Sequence, residues 1–409
     1  MERTADTFKW ILVVGARPNF MKIAPLIRAI AAHNNKNGNR IEPFLVHTGQ
    51  HYDVRMSDAF FRDLQLPEPD VHLGVGSGNH GEQTGKVLIE FEKILLQEQP
   101  DLVIVVGDVN STLACTLAAV KLHIPVAHVE AGLRSFDRGM PEEINRIVTD
   151  AISNYLFTPS PDGDKHLLGE GIPEEKIFLV GNIMIDSLLF NLEQAKKTSI
   201  LSLLGLSNSN TVENPAMPSI PYALLTLHRP ASVDNRETFN RILSGLLDVA
   251  LRIPIIFPMH PRTRKQMHTF GLDGNFVFHD ALPVDMSSYR DQNGLISKIH
   301  CFEPFGYLDF LQLMANAKVV LTDSGGIQEE TTVLGIPCIT LRDSTERPIT
   351  VTEGTNVLVH DDPQKIVAEV IKVLEGRSPK GRRPDLWDGH TAERIVTILG
   401  KKLFKPSLQ

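Results

Sequence analysis

The feature that most constrains this chain is a series, occurring twice, of short apolar runs alternating with longer amphipathic ones. In the N-terminal half the apolar runs lie at residues 10–15, 44–48, 102–107, 125–129, 155–158 and 177–181, and helical spacing fills 20–33, 81–97, 111–122 and 142–154. Parallel strands joined by crossover helices read this way. Most of the runs are apolar on both faces, as a sheet covered on both sides requires. Around residues 199–221 a stretch rich in Ser, Asn and Pro breaks the periodicity and predicts a linker or loop. A second series follows, with runs at 223–227, 253–257, 319–322 and 337–341 and helices over 236–251, 307–317, 326–334 and 363–374. Residues 272–297 show no regular pattern. With 409 residues the chain is too long for one ordinary core, so the expected fold class is α/β, with two doubly wound domains facing a central cleft.

Composition excludes several functions. A net charge of −8 argues against a nucleic-acid partner, whose affinity would come from clustered Lys and Arg. No apolar run approaches the roughly 20 residues that span a bilayer, and no signal-peptide pattern opens the chain, so no membrane is expected and a cytoplasmic location is. Cys115, Cys301 and Cys338 are far apart and lack metal-ligand spacing, which predicts free thiols and no metal.

In open parallel sheets ligands bind beyond the carboxyl ends of the strands, so those ends carry the candidate chemistry. Gly15-Ala16-Arg17-Pro18-Asn19 follows the first run, with Lys22 next on the helix. Free amides at such a turn attract anions. An ordinary turn with solvated cations accounts for this run equally well. Only one glycine occupies the turn, where a dinucleotide fingerprint wants three, so a nicotinamide cofactor is not expected.

Asp108 leaves the 102–107 run and Glu130 the 125–129 run, while Glu142 opens the following helix. Each has an ordinary alternative: a helix cap for Asp108, a buried pair with Arg134 for Glu130, a first-turn charge against the helix dipole for Glu142. Three carboxyls delivered to one sheet edge form an acid/base cluster, because mutual repulsion and burial shift their proton affinities. In the second half, His228-Arg229-Pro230 ends one run, and His260-Pro261-Arg262 repeats the arrangement more weakly. The sharpest signal is Asp323-Ser324-Gly325-Gly326-Ile327-Gln328-Glu329-Glu330. There a strand stops at a small-residue turn and a helix starts at once, which admits a phosphate to the backbone amides. Glu330, a turn further on, is placed to accept two ribose hydroxyls. Arg342 to Pro348 follow the next run and offer a guanidinium.

These residues, in order, resemble the non-hydrolysing UDP-N-acetylglucosamine 2-epimerases, which have the GT-B fold of two Rossmann-like domains. The matching segments begin at Gly15, His47, Gly107, His128, Pro141, Asp323 and Thr345 and run from about Ile11 to about Asn356. The resemblance implies that Arg17, Lys22, Ser324, Gly325, Gly326, Glu330 and Arg347 hold UDP. It also implies that Asp108, Glu130, Glu142 and His228 surround the sugar, which would be inverted at C2 without a cofactor. The expected domains are 1–190 and 191–390, with a C-terminal helix over 391–409 packing back on the first, and the family implies a homodimer. Two departures stand out. Pro230-Ala231-Ser232 replace the glutamate that commonly follows the His-Arg pair. Gln50-His51, where bacterial relatives bind an activating second substrate, are followed by Tyr52-Asp53, so activation is expected to be weak or absent. A GT-B glycosyltransferase, a hydrolysing 2-epimerase, a non-catalytic nucleotide-sugar sensor and an epimerase of a diacetamido uronic acid sugar are the alternatives. The Glu346-Arg347-Pro348 run resembles the N-acetylglucosamine branch more closely.

Overall fold

The computed structural model describes residues 7–36, 40–50, 66–207, 220–289, 296 and 298–404, except the side chains of Arg17 and Ser287. The chain forms two compact units, one of Met1–Phe190 with Asp385–Gln409, the other of Asn191–Pro384. The division at Phe190 falls inside the Ile183–Ala195 helix. It does not fall in the Ser-, Asn- and Pro-rich stretch expected to hold a linker; residues 199–207 of that stretch belong to the second unit, and 208–219 lie outside the described residues.

The N-terminal unit is built on a parallel sheet of seven strands in the order β3-β2-β1-β4-β5-β6-β7. The strands are β1 (Thr7–Val14), β2 (Arg40–His47), β3 (Val71–His72), β4 (Leu102–Val106), β5 (Val126–Val129), β6 (Tyr155–Thr158) and β7 (Ile177–Leu179). Trp10 to Val14 of β1 and all of β4 are buried, so their runs are apolar throughout because helices cover both faces of the sheet. The two-residue edge strand β3 has no apolar run and left no signal in the sequence. Chain order reverses between β1 and β4, which makes their carboxyl ends the switch point where a ligand crevice forms. Asn19 builds that point. Its Oδ1 accepts the amides of Gly15 and Ala16 (3.0 and 2.9 Å), and its Nδ2 donates to the Val106 carbonyl (3.0 Å).

The returning C-terminal segment is anchored to this unit. Trp387, almost fully buried, donates to the Pro159 carbonyl, and Asp186 accepts the amides of Thr391 and Ala392 at the start of the Thr391–Leu403 helix. That helix packs on the Arg17–Lys36 helix.

The C-terminal unit repeats the plan with seven parallel strands in the order β10-β11-β9-β8-β12-β13-β14. They are β8 (Ala223–Thr226), β9 (Ile255–Pro258), β10 (Phe276–Phe278), β11 (Ile299–Phe302), β12 (Val319–Thr322), β13 (Cys338–Thr340) and β14 (Asn356–Leu358). Its core gathers Leu225, Phe239, Leu246, Phe257, Leu321 and Ile366 around the sheet. Two of the strands, β10 and β11, occupy the stretch that the sequence left without a pattern or border it. Here the reversal lies between β8 and β12, paired as Thr226↔Thr322, so the segments after these two strands leave side by side. Among the described residues no helix is long and apolar enough to cross a membrane.

Candidate active site

Asp108 and Glu130 leave adjacent strands, since β4 and β5 pair with Val106 opposite Val129. Glu130 sits at φ 73°, a left-handed conformation that side-chain-bearing residues rarely adopt and that costs on the order of 1–3 kcal/mol. Its carboxylate is buried and forms an ion pair with Lys22. The expected alternative partner, Arg134, is committed elsewhere: it pairs with Asp150 (2.7 Å) and Glu170 (2.6 Å). Gly107 is required for this arrangement. It lies at φ 69°, and a Cβ there would stand 2.8 Å from Lys22 Nζ.

Asp108 is a third exposed, with Oδ2 2.5 Å from Arg146 Nη1. Arg146 comes from the Pro141–Ile152 helix and also donates to Glu143 (2.6 Å). Glu143, buried, accepts the amides of Ser135 and Phe136 (both 2.9 Å). Burial would raise its carboxyl, but those amides and Arg146 outweigh it and hold it below the ordinary range. Of the two glutamates opening this helix, Glu143 is thus a structural clamp. Glu142, the one chosen from sequence, is exposed. Asn145 from the same helix donates to the Asp108 carbonyl (2.9 Å).

His128 is structural as well. Both ring nitrogens are engaged, Nδ1 with Asp150 (2.7 Å) and Nε2 with the Gly107 carbonyl (2.9 Å). Gln50 is buried, and its Oε1 accepts from the Ser111 amide and hydroxyl (3.1 and 2.8 Å), tying it to the turn after β4. Arg17 opens its helix, while His51 lies outside the described residues.

In the C-terminal unit, Ser324 precedes the ten-residue Gly325–Leu334 helix, and the unpaired amides of a helix start attract anions. Gly325 has a steric reason: a Cβ there would lie 2.6 Å from Arg347 Nη1. Gly326 has open space where its Cβ would be. Arg347 pairs with Glu329 (2.7 Å) and lies 3.6 Å from Glu346. Glu346 is almost fully buried and is also gripped by both Arg342 nitrogens (3.0 and 2.7 Å), with Arg229 at 3.8 Å. Burial opposes ionisation of Glu346, yet the Arg342 hydrogen bonds and the charges of Arg347, Arg342 and Arg229 hold its carboxyl far below the usual range. Three guanidiniums, those of Arg229, Arg342 and Arg347, converge on this corner, and such planar forks suit a diphosphate.

Glu330 is buried, with the Tyr307 hydroxyl donating to it at 3.4 Å. Burial and then the charge of Glu329 push its carboxyl up to about 8. His228 follows β8 and meets Asp323, which follows β12. Asp323 and Arg146 are not singled out by residue type in the sequence, although Asp323 opens the run to Glu330 and Arg146 lies in the segment that begins at Pro141. Their signal is position alone, one just past a strand and the other a turn into a helix that begins at a strand-end crevice.

Residues 33–400 match the sequence family described as UDP-N-acetylglucosamine 2-epimerase. The UDP-N-acetylglucosamine 2-epimerase of Methanocaldococcus jannaschii is 45% identical over 394 residues, covering 96% of this chain and 98% of the relative. A crystal structure of the UDP-GlcNAc 2-epimerase of that organism in complex with UDP-GlcNAc and UDP aligns with TM-score 0.79 at 44% identity, over 96% of this chain and 99% of that one. The UDP-2,3-diacetamido-2,3-dideoxy-D-glucuronate 2-epimerase of Pseudomonas aeruginosa is 36% identical over 396 residues, 96% of this chain and 99% of its own. Two Rossmann-like units of parallel strands are the expected GT-B composition. The chain belongs to the UDP-N-acetylglucosamine 2-epimerase family.

Proposed function

We propose that the protein interconverts UDP-N-acetylglucosamine and UDP-N-acetylmannosamine by eliminating and re-adding UDP. The observation that carries this reading is the pair of carboxylates at the exits of β4 and β5, each held by its own cation, Asp108 by Arg146 and Glu130 by Lys22. The C2 proton of an N-acetylhexosamine has no neighbouring carbonyl and resists direct removal. Breaking the C1–O bond first creates an oxocarbenium-like centre at C1 that fixed carboxylates stabilise, and that centre makes the C2 proton acidic. UDP departs with the C1–O electron pair while a carboxylate takes the proton, leaving a 2-acetamidoglucal. UDP then returns to C1 as a proton is delivered to C2 on the opposite face. Inversion thus needs an acid and a base, and Asp108, Glu130 and Glu142 are the set we assign.

The C-terminal unit holds UDP in this reading. The Gly325–Leu334 helix start, Ser324, Gly325, Gly326 and Arg347 take the diphosphate, Glu330 takes the ribose, and His228 lies beside the sugar phosphate. Arg17 and Lys22 belong to the same ligand set. For Lys22 the pairing with Glu130 assigns a further role, holding that carboxylate in place. N-acetylglucosamine is favoured as the sugar by the greater identity to relatives of that name, 45% against 36%. The three cysteines are free and buried, which supports a reducing, cytoplasmic setting; a homodimer is carried over from the family resemblance. Incubation with UDP-N-acetylglucosamine alone tests the reading. A second UDP-sugar should appear, whereas a glycosyltransferase would leave the configuration unchanged and a hydrolysing enzyme would release N-acetylmannosamine and UDP.

A further inference from the structure

We propose that Asp323 is a positioning residue that sets the tautomer and direction of the His228 ring. This rests on the reading that His228 acts beside the sugar nucleotide, and it adds a residue to which that reading gave no role. Because β8 and β12 are paired neighbours, the segments following them lie together, and Asp323 is fully buried there. Its carboxylate accepts two backbone amides through one oxygen and turns the other toward the His228 ring. Oδ2 accepts the backbone amides of His228 (2.9 Å) and Arg229 (2.7 Å), and Oδ1 stands 3.0 Å from His228 Nδ1.

An ionised carboxylate only accepts hydrogen bonds, so the proton between the two side chains belongs to Nδ1. The geometry thereby presents Nε2 to the outside as a lone pair or, once protonated, as a donor. The His228 side chain is 40% exposed, and Nε2 has no hydrogen-bond partner among the described residues. The His260 ring lies 5.6 Å away, tilted by 40°. Burial would raise the Asp323 carboxyl, but the hydrogen bonds and charge of His228 and the two backbone amides outweigh it and hold the group below its ordinary range. His128 provides the contrast within the same chain. It also meets an aspartate through Nδ1, but its Nε2 is tied to a carbonyl, so that pair has no free edge.

The near-isosteric change Asp323→Asn tests this. The asparagine oxygen must still face the two backbone amides, so its NH2 group turns toward His228 Nδ1 and demands an acceptor there. The ring is forced into the Nε2–H tautomer. Two-bond proton–nitrogen NMR correlations, with the His228 signals identified by their loss in His228→Gln, should show that inversion. With it kcat should fall by about 100-fold or more, as expected when a catalytic imidazole holds the wrong tautomer. KM and the affinity for UDP should change by less than about threefold, because Ser324, Gly325 and Arg347 are left in place. In the His228→Gln background the same change should add almost no further loss. Retention of the Nδ1–H tautomer, a loss confined to KM, or an equal loss with and without His228 would each overturn the proposal. If His228→Gln turns over at the wild-type rate, the underlying site reading fails and the proposal with it. That failure is recognisable because the tautomer would still invert in Asp323→Asn.

Discussion

Lys22 and Glu130 form an ion pair inside the N-terminal unit, with 7% and 5% of their side chains exposed. Glycine at position 107 is what leaves room for the ammonium between the strand ends. The lysine therefore orients a carboxylate as well as carrying a positive charge.

Removing only the cation should leave a buried, uncompensated charge. Lys22→Met is expected to destabilise the protein by about 3–5 kcal/mol. Adding Glu130→Gln should recover most of that loss, since the charge and its partner are then both gone. Urea unfolding of the two variants and the wild type measures the difference, and an unchanged midpoint in Lys22→Met would exclude the pairing.

Arg146 bridges Asp108 and Glu143 with different nitrogens of one guanidinium. A lysine at this position supplies the charge without the fork. Arg146→Lys should therefore lower kcat by roughly 10–100-fold through misplacement of Asp108. The protein should stay folded, and steady-state kinetics beside a thermal melt separate the two effects.

Gly325→Ala puts a methyl group into the space of the Arg347 guanidinium. Displacing that group should weaken UDP binding by about tenfold, equivalent to roughly 1.4 kcal/mol. Calorimetric titration with UDP reads this directly.

Glu330 gives the protein a pH dependence of definite sign. Its carboxyl is raised from the ordinary 4.5 to about 8 by burial and then by Glu329. Between those values the folded protein keeps a proton that the unfolded chain has released. The resulting stabilisation is complete below about pH 4.5 and is lost as pH rises through about 8. Glu330→Gln removes the ionisation, so its stability relative to the wild type should increase as pH climbs from 5 to 9. Urea midpoints across that range test it, and a flat difference would contradict the assignment.

How much of this was legible in the sequence follows from what hides each feature. Strands β1, β4, β5, β8 and β12 stood out because cover on both faces demands continuous apolar runs. Strand β11 did not, because His300 interrupts its run; Asn275 and His279 cut the apolar run of β10 to three residues and β14 opens on the polar Asn356, whereas Val180 and Leu341 extend the runs of the equally short β7 and β13. Asp108, Glu130 and Glu142 could be chosen by their places after strands and at a helix start. Their partners could not. For Glu130 the sequence offers only the nearby Arg134 as an ordinary alternative partner, but folding brings Lys22 to it and leaves Arg134 to Asp150 and Glu170. Asp323 was passed over for the same reason, since the backbone amide of His228 that it accepts is 95 positions away in the chain.

The central claim is that the C2–H bond breaks and re-forms while UDP leaves and returns. Proton NMR of UDP-N-acetylglucosamine incubated with the protein in deuterium oxide tests it most directly. The account predicts a second UDP-sugar of manno configuration carrying deuterium at C2, with deuterium also accumulating at C2 of the recovered starting sugar. Release of free N-acetylmannosamine and UDP, or a UDP-sugar that retains its configuration and its C2 proton, would contradict it.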